Sequence, residues 1–342
     1  MKLPENLPRF DSVTPEEAQR LLCTCEYGFM PPRPECVSFS ETLGNKEFCA
    51  GKAVLHKVTA TVENNGKSFS FPFSYVRPNA KESVPAVVLI NFRGNIPDLY
   101  IPTEELADLG IAVASFDYQE VSPDNGDFES LAGGFLGVDR SDPHAPGKIA
   151  IWAWAASIVM DYVEKRPEVD LKNVAVAGHS RLGKTALFAG LHDKRFSFIW
   201  SNDSGCAGAA LYRGKVGETA EAIHRVFPFW FCPNYANYTA SDDAFPFDQH
   251  WFLSLLAPRN VYVASAENDL WADPQNELLS CIAATPAFEA LGVSGLIGDP
   301  EKSEAGLTLH EGAIGYHCRS GEHYLSREDW QKFILYMKKH LK

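Results

Sequence analysis

Much of what the chain is not can be read from what it lacks. No stretch approaches the roughly 18 consecutive apolar residues of a membrane-spanning helix, so no membrane association is expected. There is no run of Lys or Arg. The 342 residues carry 31 Lys plus Arg against 44 Asp plus Glu, a formal net charge of -13. Such a chain repels phosphate backbones, and nucleic acid is not an expected partner. The eight cysteines, Cys23, Cys25, Cys36, Cys49, Cys206, Cys232, Cys281 and Cys318, include no C-x-x-C pair. No zinc site, and no metal or cofactor at all, is expected. A core of this size needs no disulfide staples, so free buried thiols are the expectation, with one or two bridges as the minority reading. The N-terminus, Met-Lys-Leu-Pro-Glu-Asn, has no apolar segment of a signal peptide. A cytoplasmic protein is therefore expected, or a secreted or periplasmic one if a leader has been removed. Neither an internal repeat nor a low-complexity linker is present. With 45% hydrophobic and 22% charged residues, the composition is that of a globular protein and excludes disordered, collagenous and coiled-coil classes.

What is present is a change of pattern near residue 85. Residues 1–50 read as an irregular arm with one short helix, capped by Thr14 and opened by Pro15. Residues 53–62 and 68–75 predict a hairpin with Asn65-Gly66 at its turn. Val84-Pro85-Ala86-Val87-Val88-Leu89-Ile90 is then a continuous apolar run, as expected of a strand buried on both faces. Similar runs follow at 111–116, 174–177, 196–200 and 261–264. Residues 148–165, with Ile149, Trp152, Ala156, Val159 and Val163 at helical spacing, and residues 329–341, with Trp330, Phe333, Ile334 and Met337 on one face, predict helices. Alternating strands and helices predict an α/β fold, a mostly parallel sheet with helices on both faces and the hairpin as its antiparallel edge. Although the length alone suggests two domains, the expectation is one domain over 1–342, with the arm packed on it.

The informative segment is Val174-Ala-Val-Ala-Gly178-His179-Ser180-Arg181-Leu182-Gly183-Lys184. A buried strand ends in Gly-His-Ser and a helix starts at once, the setting of a nucleophile elbow. The turn presents a serine hydroxyl beside a helix N-terminus, where an oxyanion can be stabilised. The second glycine of G-x-S-x-G stands one place late, at Gly183. A serine nucleophile needs a base and an orienting carboxylate. Two acids follow strand ends, Asp203 and Asp269. Near the C-terminus lie His317, on a strand-like stretch that suits a hydrogen-bonded core histidine, and His323, in a polar loop. His323 is the expected base. Residues 91–95, just past the first buried strand, stand where such folds place the other oxyanion donor.

Five motifs occur in order: Gly178 to Lys184, Ser201-Asn-Asp-Ser-Gly-Cys-Ala-Gly-Ala-Ala210, Gly217-Glu218-Thr219, Asp269-Leu-Trp-Ala-Asp-Pro274, and Arg319-Ser-Gly-Glu-His323. Together, over roughly residues 85–342, the chain resembles the bacterial branch of carbohydrate esterase family 15, the glucuronoyl esterases. The resemblance implies an α/β-hydrolase three-layer sandwich that cleaves esters between (4-O-methyl-)glucuronic acid on xylan and lignin alcohols. It implies Ser180 as nucleophile, His323 as base and Arg181 as a stabiliser of the oxyanion. It makes Lys184, Glu218 and Trp271 ligands of the uronic sugar. The family's acid falls at either of two positions, and both are filled here. Asp203 stands where many members have the longer Glu. Asp269, after the later strand, is the preferred orienter, and both remain candidates. Fungal members bridge a Cys before the serine to one after the histidine; here those positions are His179 and Tyr324. The cations Arg181 and Lys184 suit an anionic intermediate and product independently of the resemblance. Trp271 suits stacking on a sugar ring and Glu218 suits accepting sugar hydroxyls. The expected partner is a glucuronate ester or a glucuronoxylan oligosaccharide. Two other readings stay open, an acetyl or short-acyl carbohydrate esterase and a non-catalytic sugar-binding relative.

Overall fold

The computed structural model describes residues 2–342. Ten strands make one sheet: β1 (Cys36–Phe48), β2 (Ala53–Asn64), β3 (Lys67–Pro78), β4 (Val84–Asn91), β5 (Ala112–Asp117), β6 (Val169–His179), β7 (Phe198–Asn202), β8 (Asn260–Ala266), β9 (Thr308–Leu309) and β10 (Ile314–Arg319). Their spatial order is β1-β2-β3-β5-β4-β6-β7-β8-β10-β9. The six strands β5, β4, β6, β7, β8 and β10 run parallel, while β1 to β3 and β9 pair antiparallel.

The continuous apolar runs follow from burial on two faces. Val87 and Leu89 point with Ala175, Phe198, Trp200 and Tyr262 into a core closed by the helix Arg327–Lys339. Ala86, Val88 and Ile90 point the other way, into the larger core under the helices Lys148–Glu164 and Arg181–His192. Because neither face meets water, no polar alternation survives in these strands. At the turn of the β2–β3 hairpin, Asn65 and Gly66 have φ of 50° and 73°, the left-handed pair that a tight hairpin requires. Thr14 accepts from the Glu17 N–H at 3.2 Å and caps the helix Pro15–Leu22.

Two expectations are corrected. Residues 1–50 are not merely an arm with one helix: β1, of 13 residues, pairs with β2 and turns the hairpin into a three-stranded meander. Most of its outward positions are polar or charged, as befits a sheet edge; Val37 and Phe39 pack on one core, Phe39 against Phe73 and Tyr162, and Phe48 on the other. The helix Lys148–Glu164 is not amphipathic but buried almost all round. The arm supplies its outer cover: Trp154 donates to the Pro32 carbonyl at 3.0 Å and Arg33 pairs with Asp161 at 2.7 Å. All eight cysteines are free, and all but Cys36 and Cys49 are buried. No described helix is long and apolar enough to cross a membrane.

Candidate active site

The carboxyl ends of the parallel strands carry the site. β6 ends at His179, and the helix Arg181–His192 begins two residues later. Between them Ser180 has φ 59° and ψ -129°, a conformation costly for a side-chain-bearing residue and held here by the flanking strand and helix. Its N–H donates to the Asn202 carbonyl at 2.8 Å. The elbow closes so tightly that a Cβ on Gly178 would lie 2.0 Å from the Leu182 carbonyl oxygen. The displaced second glycine has its own reason: a Cβ on Gly183 would come within 3.0 Å of Ser204 on the loop after β7.

Eight of the residues singled out in the sequence line one cleft of about 330 Å³: Ser180, Arg181, Lys184, Asp203, Glu218, Asp269, Trp271 and His323. The two acids behave differently. Asp269, past the end of β8, places Oδ2 2.5 Å from Nδ1 of His323. An ionised carboxylate can only accept, so Nδ1 carries the proton and Nε2 keeps its lone pair as a base. Asp203, past the end of β7 at φ 44°, takes other partners. Its Oδ2 accepts from the Asn202 side chain at 3.2 Å and from the Tyr324 N–H and Arg319 at 3.4 Å each. Its Oδ1 has no partner among the described residues. Burial, reinforced by the charges of Glu277 and Asp329, pushes the Asp203 carboxyl well above the usual carboxylate range.

His179 lies against His323, the rings tilted by 39° with centroids 4.4 Å apart. Its Nδ1 faces the Asn202 amide at 3.0 Å. Burial, with the charge of His323 next, pushes it well below the ordinary imidazole value and keeps it neutral. His179, Asp203 and His323 bring donor atoms within 4.8 Å of one another, a spacing that could admit a metal ion. The Arg319 cation beside Asp203 opposes a second positive charge there. His317 lies in β10, bonded to Asp329 at 2.9 Å and Tyr262 at 2.8 Å, a core histidine.

Arg181 lies over Trp230 at 4.7 Å and Phe227 at 5.3 Å. One of its terminal nitrogens donates to Asp124 Oδ2, while its buried Nε has no partner among the described residues. Asp124 also accepts from Trp230 at 2.7 Å and Tyr118 at 2.9 Å, so one carboxylate fixes both the guanidinium and its aromatic bed. Lys184, one turn along, is buried and donates to the Ser204 carbonyl. Burial pushes its ammonium below the ordinary value, against the pull of Glu218. The Glu218 N–H donates to the Trp271 carbonyl at 2.9 Å, which ties the two sugar-ligand candidates together. Trp271 itself is 60% exposed at the rim and is not a core residue.

The loop at residues 91–95 borders the site, with Phe92 against His179 at 6.2 Å and under Arg181 at 5.9 Å. The Phe92 N–H is taken by the Asn91 side chain at 2.8 Å. The loop lines a separate groove with Asp98 and Asp117, and none of its residues enters the Ser180 cleft. Donors next to the nucleophile in the chain are Arg181 and the helix N-terminus, whose first N–H groups have no partner within the helix. Sequence reasoning also passed over Asp124 and Glu277. Asp124 lies seven residues past the end of β5, beyond the short helix Tyr118–Val121, and so lacks the strand-end placement that marked Asp203 and Asp269. Glu277, buried in the helix Pro274–Glu289, accepts from the Ser204 and Gly205 N–H groups at 2.9 Å each and from Ser265 at 2.5 Å, and so shapes the turn of Asp203. Nothing in the sequence distinguishes it from a surface glutamate.

A family model described as glucuronyl esterase of fungi matches residues 60–292. The carbohydrate esterase MZ0003 of an unknown prokaryotic organism is 32% identical, over 95% of this chain and 84% of its own length. The 4-O-methyl-glucuronoyl methylesterase of Hypocrea jecorina is 28% identical over 82% of this chain; the match spans 58% of that relative's length. The solved structure of a glucuronoyl esterase from Solibacter usitatus superposes with a TM-score of 0.88, at 28% identity, over 99% of this chain and 97% of that one. With its sheet order, elbow and cleft, the chain belongs to the glucuronoyl esterases of carbohydrate esterase family 15 and has their α/β-hydrolase fold.

Proposed function

We propose that this chain is a serine esterase that hydrolyses esters of (4-O-methyl-)glucuronic acid, as found in lignin–glucuronoxylan cross-links. The observation that carries the reading is the cleft itself, where Ser180 on its elbow, the Asp269–His323 pair and two cations meet. Ser180 Oγ attacks the ester carbon as His323 Nε2 takes its proton, and Asp269 stabilises the imidazolium that forms. The developing oxyanion is held by the N-terminal N–H groups of the helix and by the Arg181 guanidinium, which Asp124 and Trp230 preorganise. Collapse expels the alcohol, protonated by His323, and leaves a glucuronoyl ester on Ser180. Water attacks by the same route and releases the uronate. Lys184, Glu218 and Trp271 hold the sugar, and the cation pair suits the negative charge that appears in the intermediate and stays on the product.

The second reading, an acetyl or short-acyl esterase, leaves that cation pair without a purpose. Comparing hydrolysis of methyl glucuronate with that of p-nitrophenyl acetate tests the proposal. A higher kcat/KM on the glucuronate ester supports it, and a preference for the acetate overturns it.

A further inference from the structure

Arg319 closes β10 and is buried, and all three of its guanidinium nitrogens are engaged. Nε donates to both Asp329 oxygens, at 3.0 and 2.8 Å. One terminal nitrogen donates to the Ser320 carbonyl at 2.9 Å. The other donates to the Glu322 carbonyl at 3.1 Å, to the Tyr324 carbonyl and, at 3.4 Å, to Asp203. Carbonyls on both sides of His323 thus converge on one cation. Asp329, the anchor, is itself fixed by His317 and by a reciprocal cap with Ser326 at the start of the last helix. The same loop is sewn to the segment that carries Asp269: the Glu267 N–H donates to the Arg319 carbonyl at 2.8 Å and the Asn268 N–H to the Gly321 carbonyl at 3.0 Å.

We propose that Arg319 is a positioning residue for the reaction: by clamping the carbonyls of residues 320, 322 and 324 it fixes His323 between Asp269 and Ser180. The proposal rests on the reading of His323 as the base. Residues 320–324 form no helix or strand, and the loop turns at Gly321 with φ 96°. The imidazole is 44% exposed, so little packing holds it. A planar guanidinium can serve three carbonyls and two carboxylates at once; a lysine ammonium keeps the charge but has no such fork. A base displaced by an ångström, with its partners intact, costs turnover on the order of 10²-fold.

The test measures Arg319→Lys, Arg319→Ala and His323→Ala on methyl glucuronate, with circular dichroism and thermal melting to confirm folding. In Arg319→Lys, kcat falls by about 10²-fold while KM and the affinity for free glucuronate, set by the other wall of the cleft, hold. Covalent labelling of Ser180 by a fluorophosphonate slows in step with kcat. In Arg319→Ala, added guanidinium restores kcat saturably. A merely structural role predicts otherwise: kcat, KM and glucuronate affinity fail together, labelling tracks the folded fraction, and guanidinium rescues nothing. That pattern, or a kcat for Arg319→Lys close to the wild type, overturns the proposal. Full activity in His323→Ala overturns the assignment of the base itself, whatever Arg319 does.

Discussion

Replacing each acid by its amide separates their roles. In Asp269→Asn the 2.5 Å contact to Nδ1 of His323 loses its charge. The amide nitrogen can then donate to Nδ1, which moves the imidazole proton to Nε2 and removes the base. Loss of an orienting carboxylate costs about 10⁴-fold in kcat, or about 5 kcal/mol of transition-state stabilisation. Asp203→Asn is a milder change. Its carboxyl makes only long contacts to Arg319 and Tyr324, and burial already pushes it toward the protonated form that an amide imitates. We expect a loss of less than about tenfold, roughly 1.4 kcal/mol. The assay is steady-state hydrolysis of methyl glucuronate near neutral pH, and both losses should appear in kcat rather than KM, because neither acid need touch the sugar in the ground state. Collapse of Asp203→Asn with near-normal turnover by Asp269→Asn would refute the reasoning. So would intermediate activity in both single variants with collapse only in the double, since that means either acid can orient His323.

Ser180→Ala and His323→Ala should each abolish ester hydrolysis in a folded protein, and the double variant should be no worse than either, because the pair acts as a unit; kcat measured free of wild-type carry-over checks this. Activity should be unaffected by EDTA, since the serine mechanism supplies its own nucleophile; a loss that zinc restores would count against it. Glu277 gives a pH signature in stability. Burial raises its folded pKa to about 7, above the unfolded value, so the stability it contributes is fully present below the unfolded pKa and is lost as pH rises through about 7. Glu277→Gln, which keeps an acceptor for the Ser204 and Gly205 N–H groups, should therefore compare better with the wild type at pH 8 than at pH 5, by at most roughly 3 kcal/mol in urea unfolding. An unchanged difference between the two pH values would refute the assignment.

The parallel strands were legible because burial on both faces leaves an uninterrupted apolar run, as in residues 84–90. β1 was not, because at the sheet edge its polar outward positions interleave with so few inward ones that the alternation fades. The helix Lys148–Glu164 was located correctly but misjudged in environment: Trp154 meets the chain at Pro32, a contact that no local periodicity can announce. The same divide runs through the site. Residues that face the cleft carry local signals, a strand end, a turn or a loop histidine. The groups that hold them in place, Asp124 under Arg181 and Glu277 behind Asp203, act across long stretches of sequence and become visible only in three dimensions.

The exposure of Trp271 and His323 has a consequence for access. One wall of the cleft is the sheet end, and the rim carrying the tryptophan opens to solvent. An ester hanging from the middle of a long polymer can therefore be offered to Ser180 sideways, without a free chain end and without threading.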